Sequence, residues 1–212
     1  MGENDQKNLQ AAYELQGRDA NRALYKDWAE TYDSDFAQRS GYRLPALLAH
    51  AFSVSGGVGP VIDVGCGTGL VADSLPPDLV IDGLDLSPEM IAQSRKKGRY
   101  RTLIEADLLA RLPIETGVYQ GVVSAGTFTH GHVGPDALPE LLRILAPGAK
   151  AVLIANAAFY RKAGFDQAFQ GFIDRGIISH IDVSEERIYD SAHAPDGHAD
   201  ATCLVLRFET LA

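Results

Sequence analysis

Short apolar runs alternate with amphipathic stretches through the middle of the chain. Val61–Val64 is β-branched and apolar apart from Asp63. Val80–Leu84 is the second run, closed by Asp85, and Leu103–Ile104 leads to Asp107. Gly121–Ala125 is the fourth and Ala151–Ala155 the fifth. Runs this apolar predict strands buried on both faces. Between them the period turns helical. Ser87-Pro88 opens a helix over Met90–Lys97, with serine as N-cap and proline in the first helical position. The reciprocal capping box is missing, because Met90 stands three residues after Ser87. Leu138, Leu141, Leu142 and Leu145 recur at helical spacing and predict one buried helix face, which Pro147-Gly148 ends.

The two ends read differently. Leu24, Tyr25, Trp28 and Tyr32 fall on one side of a predicted helix. Ile177–Val183 and Thr202–Phe208 predict two last strands, joined by the polar segment Ser184–Ala201. Strand and helix in this order predict an α/β fold: a doubly wound, mostly parallel sheet of about seven strands, its last strand antiparallel, with helices on both faces.

Composition narrows the picture. The chain has 212 residues, 46% hydrophobic and 22% charged, with no internal repeat or flexible linker. One domain is expected, against a prior of roughly 150 residues per domain. The expected division is an N-terminal helical lid (1–50), a core (51–156) and a C-terminal half on the substrate side (157–212). No stretch of about 18 apolar residues would span a membrane. Met1–Gln10 is polar and does not read as a secretory signal. Cys66 and Cys203 make no disulfide framework and suit a reducing cytoplasm. With 28 acidic and 19 basic residues the formal charge is −9, and no basic patch marks a nucleic-acid surface. The run Arg95-Lys96-Lys97, with Arg99 and Arg101, falls at a helix end, where cations complement the dipole.

The chemistry concentrates in Asp63-Val64-Gly65-Cys66-Gly67-Thr68-Gly69-Leu70. A strand enters a glycine turn and a helix begins near Thr68 or Leu70, so a ligand can approach bare backbone. Asp85 ends the second strand, 20 residues after Gly65. A carboxylate there accepts from both hydroxyls of a ribose. Asp107, after the third run, is placed to accept from an adenine amine. A dinucleotide fingerprint needs Gly-x-Gly-x-x-Gly, and Leu70 stands where its third glycine belongs. S-adenosylmethionine has no pyrophosphate and needs a different turn. A nicotinamide-dependent oxidoreductase is therefore the weaker alternative, and a non-catalytic cofactor-binding protein is a third.

Asp63–Gly69 resembles the first motif of class I S-adenosylmethionine-dependent methyltransferases. Asp85-Leu86-Ser87-Pro88-Glu89-Met90 resembles their second, and Ala106-Asp107-Leu108 their third. Leu145-Ala146-Pro147-Gly148-Ala149 is similar to their turn before the fifth strand, with Ala149 in place of a second glycine. Tyr25-Lys26-Asp27-Trp28-Ala29-Glu30-Thr31-Tyr32-Asp33, Gly41-Tyr42-Arg43-Leu44-Pro45 and Leu138–Leu142 narrow the resemblance to methyltransferases similar to the Williams–Beuren syndrome region 27 protein. The resemblance implies a Rossmann-like fold and S-adenosylmethionine as cofactor, with S-adenosylhomocysteine as product. It implies Gly65, Cys66 and Gly67 against the methionine part, and Asp63 beneath the loop. It places Asp85 on the ribose, with Leu86 and Met90 flanking the adenine. Asp107 and Leu108 meet the adenine edge, and carbonyls of Ser124 and Ala125 face the amino group. Tyr25, Tyr32 and Arg43 close over the methionine carboxylate, with Arg43 as its charge partner.

Methyl transfer from a sulfonium is an in-line displacement that rests mainly on positioning. A base is needed only where the acceptor loses a proton, and His130 and His132, past the fourth strand, are the candidates. No carboxylate or cysteine cluster accompanies them, so no metal site is expected. The segment after the fourth strand lacks the Asn-Pro-Pro-Tyr or Asp-Pro-Pro-Tyr sequence of enzymes that methylate nucleic-acid or glutamine amines. No appended recognition domain is read in the chain. The expectation is a cytoplasmic methyltransferase acting on a small-molecule acceptor, with neither nucleic acid nor membrane as partner. A homodimer is compatible with it.

Overall fold

The computed structural model describes residues 29, 32–37, 39–129 and 132–211. A π-helical turn, Tyr32–Ala37, precedes helix α1 (Leu44–Val54). Strand β1 (Val61–Val64), helix α2 (Leu70–Ser74), strand β2 (Ile81–Asp85), helix α3 (Pro88–Lys97) and strand β3 (Leu103–Glu105) follow. Then come β4 (Tyr119–Phe128), α4 (Leu138–Arg143), β5 (Leu145–Asn156), α5 (Ala157–Ala163), α6 (Phe165–Asp174), β6 (Asp182–Arg187) and β7 (Thr202–Glu209).

The strands form one seven-stranded sheet in the order β3-β2-β1-β4-β5-β7-β6. The first five are parallel, and β7 runs antiparallel between β5 and β6. The expected fold class is therefore found. Successive strand residues serve opposite faces. Ile62, Val64, Val122 and Leu153 pack with Leu138, Leu141, Phe165 and Phe169 on one side. Val61, Val123, Val152 and Ile154 pack with Leu48 and Phe52 of α1 and Val71 of α2 on the other.

Ser87 caps α3 as expected, its Oγ accepting from Met90 N at 3.2 Å. Arg95, Lys96 and Lys97 form the last turn of α3. Three local readings need correction. Helix α4 ends at Arg143, and Leu145 begins β5. All four leucines are buried, so Leu145 meets the same core as a strand residue. Pro147-Gly148 lies within β5, beside an irregularity where the β4 pairing jumps from Tyr119–Leu145 to Gly121–Lys150. The sixth strand begins at Asp182, not Ile177, and its connection to β7 starts after Arg187. Ser179 explains the delay: its N donates to Glu209 O, and its hydroxyl, in place of a carbonyl, accepts from Glu209 N at 2.9 Å. That side-chain bond leaves only an isolated bridge at Ile178–Thr210 before the ladder starts. The predicted helix over Leu24–Tyr32, with Tyr25 and Trp28, lies outside the described residues except at its end.

Candidate active site

The strand order reverses between β1 and β4, and ligands of open α/β sheets bind at the carboxyl ends of strands at such a switch. A cavity of about 280 Å³ lies there, with walls from the ends of β1, β2 and β4, the segment after β3 and the residues before α1.

The glycine loop forms its floor. Gly65, Gly67 and Gly69 all have positive φ, at 68°, 53° and 92°. Gly65 N and Cys66 N both donate to Leu84 O, at 2.8 and 3.0 Å, which ties the loop to β2. A Cβ on Gly65 would lie 1.9 Å from Thr127 Oγ1, so packing and backbone both demand glycine there. A Cβ on Gly67 would meet nothing within 4 Å. Gly67 lines the cavity, so a side chain at this position would stand in the ligand's space.

Asp85 closes the adjoining wall. Its Oδ2 accepts from Gly67 N and its Oδ1 from Ser87 N, each at 2.8 Å. Burial raises its carboxyl above the ordinary aspartate range, and the amides of Ser87, Gly67 and Leu86 pull it back. Leu86, Met90, Asp107 and Leu108 line the cavity beyond it. Asp107 Oδ1 accepts from Leu109 N at 3.0 Å, which shapes the turn after β3.

Strand β4 supplies the opposite wall through a bulge. Ala125 pairs with Ile154 and Phe128 with Ala155, so Gly126 and Thr127 leave the ladder and face the cavity. The hydroxyls of Ser124 and Thr127 both donate to Val64 O, at 2.7 and 3.0 Å, where β1 ends.

Beneath the loop, Asp63 is fully buried. Tyr100 OH donates to its Oδ2 at 2.6 Å, and Oδ1 has no hydrogen-bond partner among the described residues. Burial pushes the Asp63 carboxyl up to about 7; the Tyr100 hydrogen bond opposes this, and the Asp85 charge adds to it. Burial, with Asp85 and Asp63 nearby, also drives the Cys66 thiol well above its ordinary value. Cys66 is therefore an inert loop residue, not a nucleophile.

The cavity brings together Tyr32, Gly65, Cys66, Gly67, Asp85, Leu86, Met90, Asp107, Leu108, Ala125 and His132 from the expected set. Asp63 and Ser124 support it from behind. Arg43 is turned elsewhere: its Nη1 donates to Arg187 O at 3.4 Å, and its N donates to Ile188 O. The bridge between Tyr42 and Tyr189 fixes this segment so that Tyr42, not Arg43, is on the cavity wall. Tyr25 and His130 lie outside the described residues. Sequence reasoning did not single out Tyr42, Pro45, Thr68 and Val133, all on the wall, whereas Thr127 falls in the stretch from Ser124 to His132 where the sequence leads one to expect the acceptor. Tyr42 and Pro45 adjoin Arg43 in a segment already singled out.

Comparison with known proteins decides the family. A methyltransferase domain profile matches residues 62–153. Human methyltransferase-like protein 27 is 32% identical over 159 residues, which cover 72% of this chain and 64% of that protein. The chain carries a class I S-adenosylmethionine-dependent methyltransferase domain. The demethylmenaquinone methyltransferase of Thermus thermophilus is 36% identical over 101 residues, 44% of this chain and 46% of that protein. The chain thus spans less than two thirds of the length of either relative. The N-methyltransferase NodS of Bradyrhizobium japonicum, crystallised with S-adenosyl-L-homocysteine, shares the fold. Its TM-score is 0.60 at 18% identity, over 88% of this chain and 98% of that one.

S-adenosylmethionine is the cofactor of this family, and the residues present fit it. Two carboxylates, Asp85 and Asp107, stand on the wall of a cavity that would take a cationic ligand. Gly67 leaves open space above the loop, and Asp85 keeps its carboxylate at a strand end.

Proposed function

We propose that the protein transfers a methyl group from S-adenosylmethionine to a small-molecule acceptor. The carrying observation is that Gly67, Asp85 and Asp107, from three successive strand ends, share one cavity with His132. When bound, the cofactor supplies a methyl group already activated on a sulfonium, so the protein's task is alignment. In this reading Asp85 accepts from the ribose hydroxyls, and Leu86 and Met90 sandwich the adenine. Asp107 accepts from its amine, and Leu108 offers its backbone N–H. Gly65, Cys66 and Gly67 lie along the methionine part, with Asp63 supporting the loop and the carbonyls of Ser124 and Ala125 near the amino group. Tyr32 covers the cavity.

The acceptor is assigned to the part of the cavity lined by Tyr42, Thr127, His132 and Val133. Where the acceptor has a proton to lose, His132 takes it. We read the chain as one domain, with the described part of residues 1–50 beside the cofactor and residues 157–212 on the acceptor side, working in the cytoplasm without nucleic acid. Two observations favour that setting: both cysteines are free and buried, and no described helix is long and apolar enough to cross a membrane.

Calorimetric titration with S-adenosylmethionine, S-adenosylhomocysteine and NADH tests the reading. Micromolar binding of the first two alone is expected. Binding of NADH alone would replace the methyltransferase with an oxidoreductase, and tight cofactor binding without turnover on any acceptor would leave a binding protein.

A further inference from the structure

Residues 32–37 and 39–43 run beside the cavity as a strap, with Tyr32 and Tyr42 on its wall. The two ends are held by different means. At the Tyr42 end the attachment is backbone: Asp190 N donates to Gly41 O at 2.8 Å and Arg43 N to Ile188 O at 2.9 Å. Gly41 sits so close that a Cβ would fall 2.8 Å from Asp190 Cβ. At the Tyr32 end Tyr32 and Ala37 pack against the core, and the charged attachment runs through the side chain of Asp33. Thr68 Oγ1, in the glycine loop, donates to Asp33 Oδ1, and Lys97 Nζ, in the last turn of α3, lies 2.7 Å from Asp33 Oδ2. Lys97 Nζ also lies 2.7 Å from Asp73 Oδ2, a contact that does not touch Asp33. Thr68 also lines the cavity, so Asp33 ties the strap to the loop that would carry the ligand.

We propose that Asp33 is a positioning residue that latches this strap beside the cavity, and that release of the latch sets how quickly a bound cofactor leaves. The second half rests on the cofactor reading above; the first half does not. A hydrogen bond from Thr68 and an ion pair to Lys97 are strong enough to hold a short segment, yet one rotation of a single side chain breaks both. A backbone-paired end and a side-chain-paired end make a hinge at residues 40–43 and a catch at Asp33.

Two measurements on the full chain test this. The first is hydrogen exchange of amides 32–37 without ligand, in wild type, Asp33→Asn, Lys97→Gln and Asp73→Asn. The second is the dissociation rate of S-adenosylhomocysteine from the same proteins at low and high salt. Asp33→Asn is expected to raise exchange in 32–37 and to speed release roughly tenfold, the effect of losing a charged hydrogen bond. Lys97→Gln follows in the same direction. Asp73→Asn, which leaves both Asp33 contacts in place, stays near wild type. Salt speeds release from wild type and has little effect on Asp33→Asn, a difference that a purely structural defect would not produce. Unchanged exchange in Asp33→Asn and Lys97→Gln overturns the latch. Raised exchange with unchanged release overturns its role in retention. A wild type that binds neither S-adenosylmethionine nor S-adenosylhomocysteine overturns the cofactor reading and the retention claim with it, while exchange still decides the latch.

Discussion

Asp85 Oδ2 accepts from the amide of Gly67 at 2.8 Å, joining the end of β2 to the middle of the glycine loop. One carboxylate thereby shapes the loop and faces the cavity. Asp85→Ala is expected to weaken S-adenosylmethionine binding roughly ten- to a hundredfold, as for loss of a charged hydrogen-bonding group. Asp85→Asn should fall between the two. Calorimetry measures both, and an unchanged affinity in Asp85→Ala would remove the ribose assignment.

Gly65 and Gly67 should respond differently to alanine. Gly65→Ala collides with Thr127 Oγ1 in a left-handed backbone and should destabilise the fold by about 2–4 kcal/mol. Gly67→Ala carries only the backbone strain, about 1 kcal/mol. Its methyl group enters the cavity, so cofactor affinity should fall more than stability. Urea denaturation beside calorimetry separates the two, and equal stability losses would contradict the open space at Gly67.

Asp63 should make stability depend on pH. The folded protein holds the Asp63 proton up to about pH 7, whereas an unfolded aspartate releases it near 3.8. The folded state binds more protons across that window, so this contribution is intact below the lower value and is lost as pH rises through the upper one. The loss amounts to ~4 kcal/mol. Relative to Asp63→Asn, wild type should lose stability steadily between those two values and then level off. Denaturation midpoints across the window check this, and parallel curves for the two proteins would refute it.

His132 lines the cavity beside Thr127 and Val133. With an acceptor that must lose a proton, His132→Ala should lower kcat roughly a hundredfold or more. Cofactor affinity should change far less. Steady-state kinetics on such an acceptor decide it, and an unchanged kcat would remove His132 as base.

Much of the fold is legible in the sequence because its signals are local. The runs around Val61, Val122 and Val152 are apolar enough to require burial on both faces, and Ser87-Pro88 marks a helix start that the Ser87–Met90 hydrogen bond confirms. Gly65, Gly67, Asp85 and Asp107 stand at strand ends and arrive together at one cavity, since parallel strands bring their carboxyl ends to the same edge. Tertiary structure decided the rest. Leu145 satisfies a helical period and a strand equally well, and only its pairing with Tyr119 chose. Ser179 delays the sixth strand through a hydroxyl contact with Glu209, a residue 30 positions away. Thr127 reaches the cavity because β4 bulges against β5, and Arg43 misses it because Tyr42 pairs with Tyr189. Each of these outcomes depends on a partner distant in the chain, which no local pattern of hydrophobic and polar residues encodes.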